Sequence, residues 1–200
     1  MTADRAQLRR SMRDRRRAIP AVERIAAAES LAQRLLALPF APTSGHVAGY
    51  WAMDAEIALH AWQLQLPPAL VYCLPVLCDD TLRFAPWRQG DALVANRYGI
   101  PEPDLPPSAL IDADAMTLVV VPLVGFDTRG QRLGMGGGWY DRSFAFRTAQ
   151  GAPPWLVGAA FAAQQVDVLP AETWDVALDA VCSERDTFLN IHIDSTGIPA

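Results

Sequence analysis

The sequence predicts a layered α/β fold built on a mostly parallel sheet. Segments of strand character alternate with segments of helical period along the 200 residues. The apolar runs LVYCLPVL (70–77) and MTLVVVPLVGF (116–126) are too continuous for a sheet with one wet face. None of the runs approaches the ~18 residues of a membrane-spanning helix, and Pro122 interrupts the longest.

Each element has its own signal. DRAQLRRSMRDRRR (4–17) reads as a helix in which Arg5, Arg9, Arg13 and Arg17 share a face. Leu8 and Met12 share a neighbouring face suited to docking. So much like charge repels itself unless acidic side chains or a polyanion compensate, and a solvated basic helix is the plainer alternative. Pro20 suits the first turn of a second helix, with Glu23 near its positive end and Ile25, Ala28, Ala32, Leu35 and Leu36 as its apolar face. HVAGYW (46–51) reads as a strand and EIALHAWQLQL (56–66) as a helix ended by Pro67. The run 70–77 reads as a strand buried on both faces. TLRFAPW (81–87) suits an edge, because Pro86 cannot donate to a ladder. YGIPEPDLPPS (98–108) reads as a proline-stiffened surface segment. MTLVVVPLVGF is the strongest buried strand, WYDRSFAF (139–146) starts a helix, and PWLVGAAF (154–161) and ALDAVCSE (177–184) read as further strands. With no repeat, low-complexity tract or linker, residues 1–200 are expected to form one domain.

Composition removes several chemistries. All seventeen basic residues are arginine, which excludes a Walker A lysine and a Schiff-base lysine. Cys73, Cys78 and Cys182 have neither disulfide nor zinc spacing and read as buried, inert thiols. His46, His60 and His192 form no HExxH pair, and no GxSxG occurs. A net charge of −5 argues against a broad nucleic-acid surface, although seven arginines lie between residues 5 and 17. A soluble, cytoplasmic protein is expected, without membrane or nucleic-acid partners.

The densest chemistry is RLGMGGGWYDR (132–142). A glycine-rich segment between strand and helix lets backbone N–H groups approach phosphate oxygens closely, and a following helix adds its positive end. Gly134, Gly136, Gly137 and Gly138 have that context. Arg132 can fork onto a phosphate, and Asp141 can hold a Mg²⁺ shared with a nucleotide. The pattern is neither Walker A nor GxGxxG. A tight strand-to-helix turn with Asp141 as a first-turn or Arg142 partner explains it nearly as well. Trp139 and Tyr140 suit either core packing or stacking on a heterocycle.

The longer stretch VVVPLVGFDTRGQRLGMGGGWYDR resembles the signature of 5-formyltetrahydrofolate cyclo-ligases, also called 5,10-methenyltetrahydrofolate synthetases. RAQLRRSMRDRRR, GYWAMDAEI, LRFAPWRQGDALVANRYGIPEP and VGAAFAAQQVDVLPAETWDVALDAV resemble further family segments in the same order. The resemblance implies a three-layer α/β/α fold like that of sugar-phosphate isomerases and CoA transferases. It also implies a reaction in which Mg²⁺-ATP phosphorylates the formyl oxygen of 5-formyltetrahydrofolate and N10 closes the ring. Both nucleophiles belong to the substrates, so a chain without lysine, triad or zinc site can perform it.

By resemblance, Arg5, Arg9, Arg132, Leu133, Gly134, Met135, Gly136, Gly137, Gly138, Trp139 and Tyr140 would hold ATP. Trp51, Glu56 and Met135 to Trp139 would hold the folate. Asp141 and Asp175 would bind Mg²⁺, and Arg132 and Asp141 would act in catalysis. Asp175 enters through the resemblance alone. A monomer is expected. The chain departs from the family at Arg5 (commonly Lys), at Ala58 and Leu59 (commonly an Asp–Thr pair) and at Trp139 (commonly Tyr or Phe). The departure at 58–59 leaves a non-catalytic folate- or nucleotide-binding paralogue as the alternative; an isomerase or transferase of sugar phosphates is a third reading.

Overall fold

Five parallel strands form the centre of the molecule, and one antiparallel strand closes each edge. A computed structural model describes residues 5–170 and 172–191; Asp4, His192 and Ala171 lie outside them. The parallel strands are β1 (Gly45–Ala48), β2 (Leu70–Cys78), β6 (Leu118–Pro122), β9 (Trp155–Ala159) and β10 (Ala180–Cys182). With β3 (Thr81–Pro86) and β11 (Thr187–Leu189) at the edges, the order is β11-β10-β9-β6-β1-β2-β3. Two short antiparallel pairs stand outside this sheet: β4 (Leu93–Ala95) with β5 (Pro101–Pro103), and β7 (Gly125–Phe126) with β8 (Arg132–Leu133).

Side chains on successive strand residues point to opposite faces, so each continuous apolar run feeds two cores. Val47, Leu118, Val120 and Val157 pack under the helices α2 (Ala21–Leu36) and α3 (His60–Leu64). Ala48, Val119, Val121, Leu156 and Val181 pack on the other face with Phe84 and with Phe144, which ends α4 (Trp139–Ser143). The sheet therefore lies between two layers, and its strands are mostly parallel, as the sequence predicts. The basic helix α1 (Arg5–Arg17) docks through Met12 on Val124, Leu133 and Leu169. Among the described residues no helix is long and apolar enough to cross a membrane.

Several elements differ from expectation. The helix expected over 56–66 shrinks to His60–Leu64, because Asp54 and Ala55 adopt left-handed φ values of 48° and 61° and turn the chain toward the site first. In α2 the buried face is Ala27, Ala28, Leu31, Ala32 and Leu35, and Ile25 is exposed. β1 stops at Ala48, and the next residue is held to glycine because a Cβ at Gly49 would collide with the Tyr72 hydroxyl. The β2–β3 ladder begins only at Cys73, and Val71 before it is exposed rather than buried. The proline-rich 98–108 is not wholly surface: Glu102 and Pro103 on β5 are buried. The edge assignment of β3 agrees with its single partner, β2. Cys73 and Cys182 are buried, and burial pushes their thiols up to about 12 and about 11.

Chain connections leave β1 and β6 in opposite directions along the sheet, one toward β2 and the other toward β9 and β10. Such a switch point opens a crevice at the carboxyl ends of the strands, where open α/β sheets bind ligands.

Candidate functional site

The crevice is occupied by a cleft of about 710 Å³. Strand ends supply its floor: Tyr50 and Trp51 follow β1, Pro75 and Leu77 belong to β2, and Pro122 ends β6. The volume suits a drug-sized heterocycle.

The glycine loop forms one wall. β8 pairs with β7 and presents Arg132 and Leu133 buried, and the loop 134–138 leads into α4. Gly136 and Gly138 have φ values of 100° and 65°, the left-handed region that glycine enters at low cost. A Cβ on Gly137 would approach the Trp139 indole to 2.8 Å. Gly134 differs: a Cβ there meets nothing within 4 Å. The fold does not require glycine at 134, so the bare backbone leaves space for something else. The following helix is only five residues long. A helix of little more than one turn carries less of the dipole that the sequence suggested. A second cavity of about 500 Å³ lies against the same glycines and includes Asp141, Arg142, Thr173 and Trp174.

Helix α1 closes the wall. Arg5 pairs with Asp175 at 3.3 Å and with Glu172 at 3.6 Å. Arg9 Nε donates to the Gly134 carbonyl at 2.8 Å. Arg13 reaches the Met135 sulfur. Arg16 and Arg17 both bind Asp54. The self-repulsion of the basic stripe is thus compensated from the body of the protein, and α1 becomes a staple across the cleft.

Arg132 and Asp141 face each other. Arg132 donates to Asp141 through Nη2 and to the Val176 carbonyl through Nη1. Burial lowers the Arg132 pKa, and the Asp141 and Asp175 carboxylates oppose that shift. Nη1 and Nη2 of Arg132 each reach a protein acceptor, which makes the side chain a support for Asp141 and for the 175–176 segment. Asp141 Oδ1 also accepts the Val176 N–H at 3.2 Å. Asp175 Oδ2 accepts from Arg5 and from Glu172 N–H. Asp141 Oδ2 and Asp175 Oδ1 receive no hydrogen bond from the described residues.

Glu56 lies on the opposite side. Its side chain is 10% exposed, and Arg16 Nη1 stands 3.5 Å from Oε1. Met53 N–H donates to Oε2 at 3.0 Å. Burial pushes the Glu56 pKa up, while the Met53 N–H and the Arg16 guanidinium pull it down. Trp51 is half-exposed and meets Trp87 edge-on. Tyr140 stacks on Phe144, and burial drives its phenol pKa well above the ordinary value.

The cleft thus assembles Arg5, Arg9, Trp51, Glu56, Arg132, Gly134 to Tyr140, Asp141 and Asp175. Leu133 is buried beside Met12 and does not line it. Neither Ala58 nor Leu59 lines the cleft; Leu59 packs in the core below α2 and α3. That departure removes no polar group from the cleft wall.

Sequence reasoning missed three contributors. Arg16 is fully buried, whereas the i, i+4 stripe drew attention to Arg17. The β4–β5 arm brings Asn96, Tyr98, Ile100 and Glu102 to the cleft, and its three-residue strands carry too little period to be read. Trp174 lines both cavities although it adjoins Asp175, which the family resemblance did mark.

Fold and site together define an α/β protein in which a strand-to-helix glycine loop and an arginine-bearing helix wall an aromatic cleft. Residues 1–184 match the 5-formyltetrahydrofolate cyclo-ligase family. The 5-formyltetrahydrofolate cyclo-ligase of Haemophilus influenzae is 35% identical over 182 residues, covering 88% of this chain and 96% of that one. The Escherichia coli enzyme of the same name is 35% identical over 175 residues, covering 85% and 94%. A solved structure of Aquifex aeolicus 5,10-methenyltetrahydrofolate synthetase superposes with a TM-score of 0.79 at 25% identity, over 93% of this chain and 92% of that one. This chain belongs to the 5-formyltetrahydrofolate cyclo-ligase family.

Proposed function

We propose that the protein, as one cyclo-ligase domain acting as a cytoplasmic monomer, converts 5-formyltetrahydrofolate and ATP into 5,10-methenyltetrahydrofolate, ADP and phosphate. One observation carries the reading beyond family membership. Arg9 and the Gly134 carbonyl meet across 125 residues of sequence, and they close an anion-ready wall over a cleft that also holds the buried Glu56.

The γ-phosphoryl group passes to the formyl oxygen on N5, breaking its bond to ADP. N10 then bonds to the activated carbon, the C–O bond to phosphate breaks, and N10 loses its proton. Phosphorylation turns a poor leaving group into a good one. The protein's tasks are positioning and charge neutralisation, which dominate phosphoryl transfer.

The loop amides of Gly134, Gly136, Gly137 and Gly138 would receive the phosphates, with Leu133, Met135, Trp139 and Tyr140 shaping the loop. Arg5 and Arg9 would close over them from α1. Glu56 would accept pterin N–H donors, and Trp51 and Trp139 would pack against the folate. Arg132 would hold Asp141 in place.

The donor set fits Mg²⁺. Asp141 and Asp175 line one cleft, and one oxygen of each receives no donor from the described residues. Among the described residues no group of three or more His, Cys, Asp or Glu side chains gathers to hold an ion. An Mg²⁺ there would take one or both of these carboxylates and complete its shell with phosphates and water. When bound, Mg²⁺ supplies neutralisation of the phosphate charge.

The test is to mix protein, Mg²⁺-ATP and 5-formyltetrahydrofolate and follow the methenyl chromophore. Its appearance only with ATP is the expected result. No product, under conditions where another family member works, would overturn the proposal.

A further inference from the structure

A second buried carboxylate borders the cleft, and the reaction scheme above gives it no part. Glu102 on β5 is 8% exposed. Its Oε1 accepts two hydrogen bonds, from Leu77 N–H at 2.9 Å and from Asn96 Nδ2 at 2.8 Å. Asn96 is held in turn, because its Oδ1 accepts from Tyr98 N–H at 2.8 Å and from Ile100 N–H at 3.1 Å. Hairpin turn, Asn96 and Glu102 therefore form one braced unit, and both lone pairs of Oε1 are in use.

Oε2 is different. No hydrogen bond from the described residues reaches it, and their ion pairs all involve other carboxylates. Pro75, Leu77, Leu82 and Ile100 line the same cleft as Glu102. A carboxylate oxygen that no protein donor meets is free to accept from a ligand. The cleft is where donors can arrive.

We infer that Glu102 Oε2 is a binding site for N–H donors of the heterocycle held in the cleft. Resting on the proposed function, that heterocycle is the reduced pterin. Its pyrimidinone ring carries a 2-amino group and an N3–H on one edge, and N8–H lies on another. Glu56 and Glu102 are two carboxylates of the cleft outside the Asp141–Asp175 pair, enough to receive donors from both edges.

The test variant is Glu102→Gln, because the amide oxygen still accepts from Leu77 and Asn96 while an NH₂ replaces Oε2. Binding of 5-formyltetrahydrofolate without nucleotide is titrated by tryptophan fluorescence, alongside melting temperature and KM for ATP. The dissociation constant should rise roughly tenfold to a hundredfold, as for a lost hydrogen bond to a charged group, with melting temperature and KM for ATP unchanged. Glu102→Asp, which keeps the charge but withdraws it by one methylene, should weaken binding in the same direction. Wild-type affinity for the folate in both variants would overturn this inference alone. So would a loss of folate and ATP affinity together with a lowered melting temperature, which marks a structural brace. A wild-type protein with no affinity for 5-formyltetrahydrofolate would overturn the proposed function and this inference with it.

Discussion

Gly158 and Gly134 sit in regions that use glycine in opposite ways. Gly158 lies on β9 within the parallel sheet, where a Cβ would come within 2.6 Å of Leu123 and 2.7 Å of Leu178. The protein itself fills the space that the missing side chain leaves. Gly134 opens the glycine loop, and a Cβ there meets nothing within 4 Å. In the sheet, glycine is a packing requirement; in the cleft it leaves room that no protein atom takes. Strand ends deliver the cleft floor and close packing holds it rigid, whereas the walls rest on arginine contacts between segments distant in sequence.

The largest expected effect belongs to the wall. Asp141→Asn keeps the size of the side chain but removes its charge, and should lower kcat roughly 10²–10³-fold with little change in folate affinity, measured by chromophore release and by titration. Unchanged turnover would reduce Asp141 to a partner of Arg132. The sheet side is probed by Gly158→Ala. Overpacking Leu123 and Leu178 should cost about 1–3 kcal/mol, which for a chain of this size lowers the melting temperature by roughly 2–4 °C per kcal/mol. An unaltered melt would mean that those leucines move aside freely.

Gly134→Ala reverses the pattern. Its φ lies outside the left-handed region, so alanine should leave stability unchanged or raise it by up to about 1 kcal/mol. The KM for ATP should nevertheless rise about tenfold, as for one lost contact to a charged group. A destabilised variant with normal ATP affinity would erase the contrast between the two glycines. The smallest effect concerns pH. Burial raises the Glu56 pKa, so its charged form, the proposed acceptor of pterin donors, is lost at higher pH than for an ordinary glutamate. Folate affinity should weaken as pH falls through that raised value. Glu56→Gln should bind more weakly and lose this dependence; a variant that kept it would place the titrating group elsewhere.

Much of the architecture was readable residue by residue. The run 118–122 alternates between two cores and needed both faces buried; Pro86 sits on an edge strand; Met12 docks α1. The glycine loop was equally visible, since local backbone demands leave a local mark. Short elements were not. Three-residue strands such as 93–95 and 101–103 carry no measurable period, and the paired left-handed residues at 54 and 55 are neither glycine nor asparagine.

By itself, then, the sequence determined the α/β alternation, the two-faced strands, the basic helix and the glycine loop between strand and helix, because each follows from forces acting within a few residues. Tertiary structure alone decided that Arg5 meets Asp175 across 170 residues, that Arg16 rather than Arg17 is buried against Glu56, and that Glu102 turns into the cleft. Those pairings depend on which strands become neighbours, and burial then sets the strength and the partners of each charge.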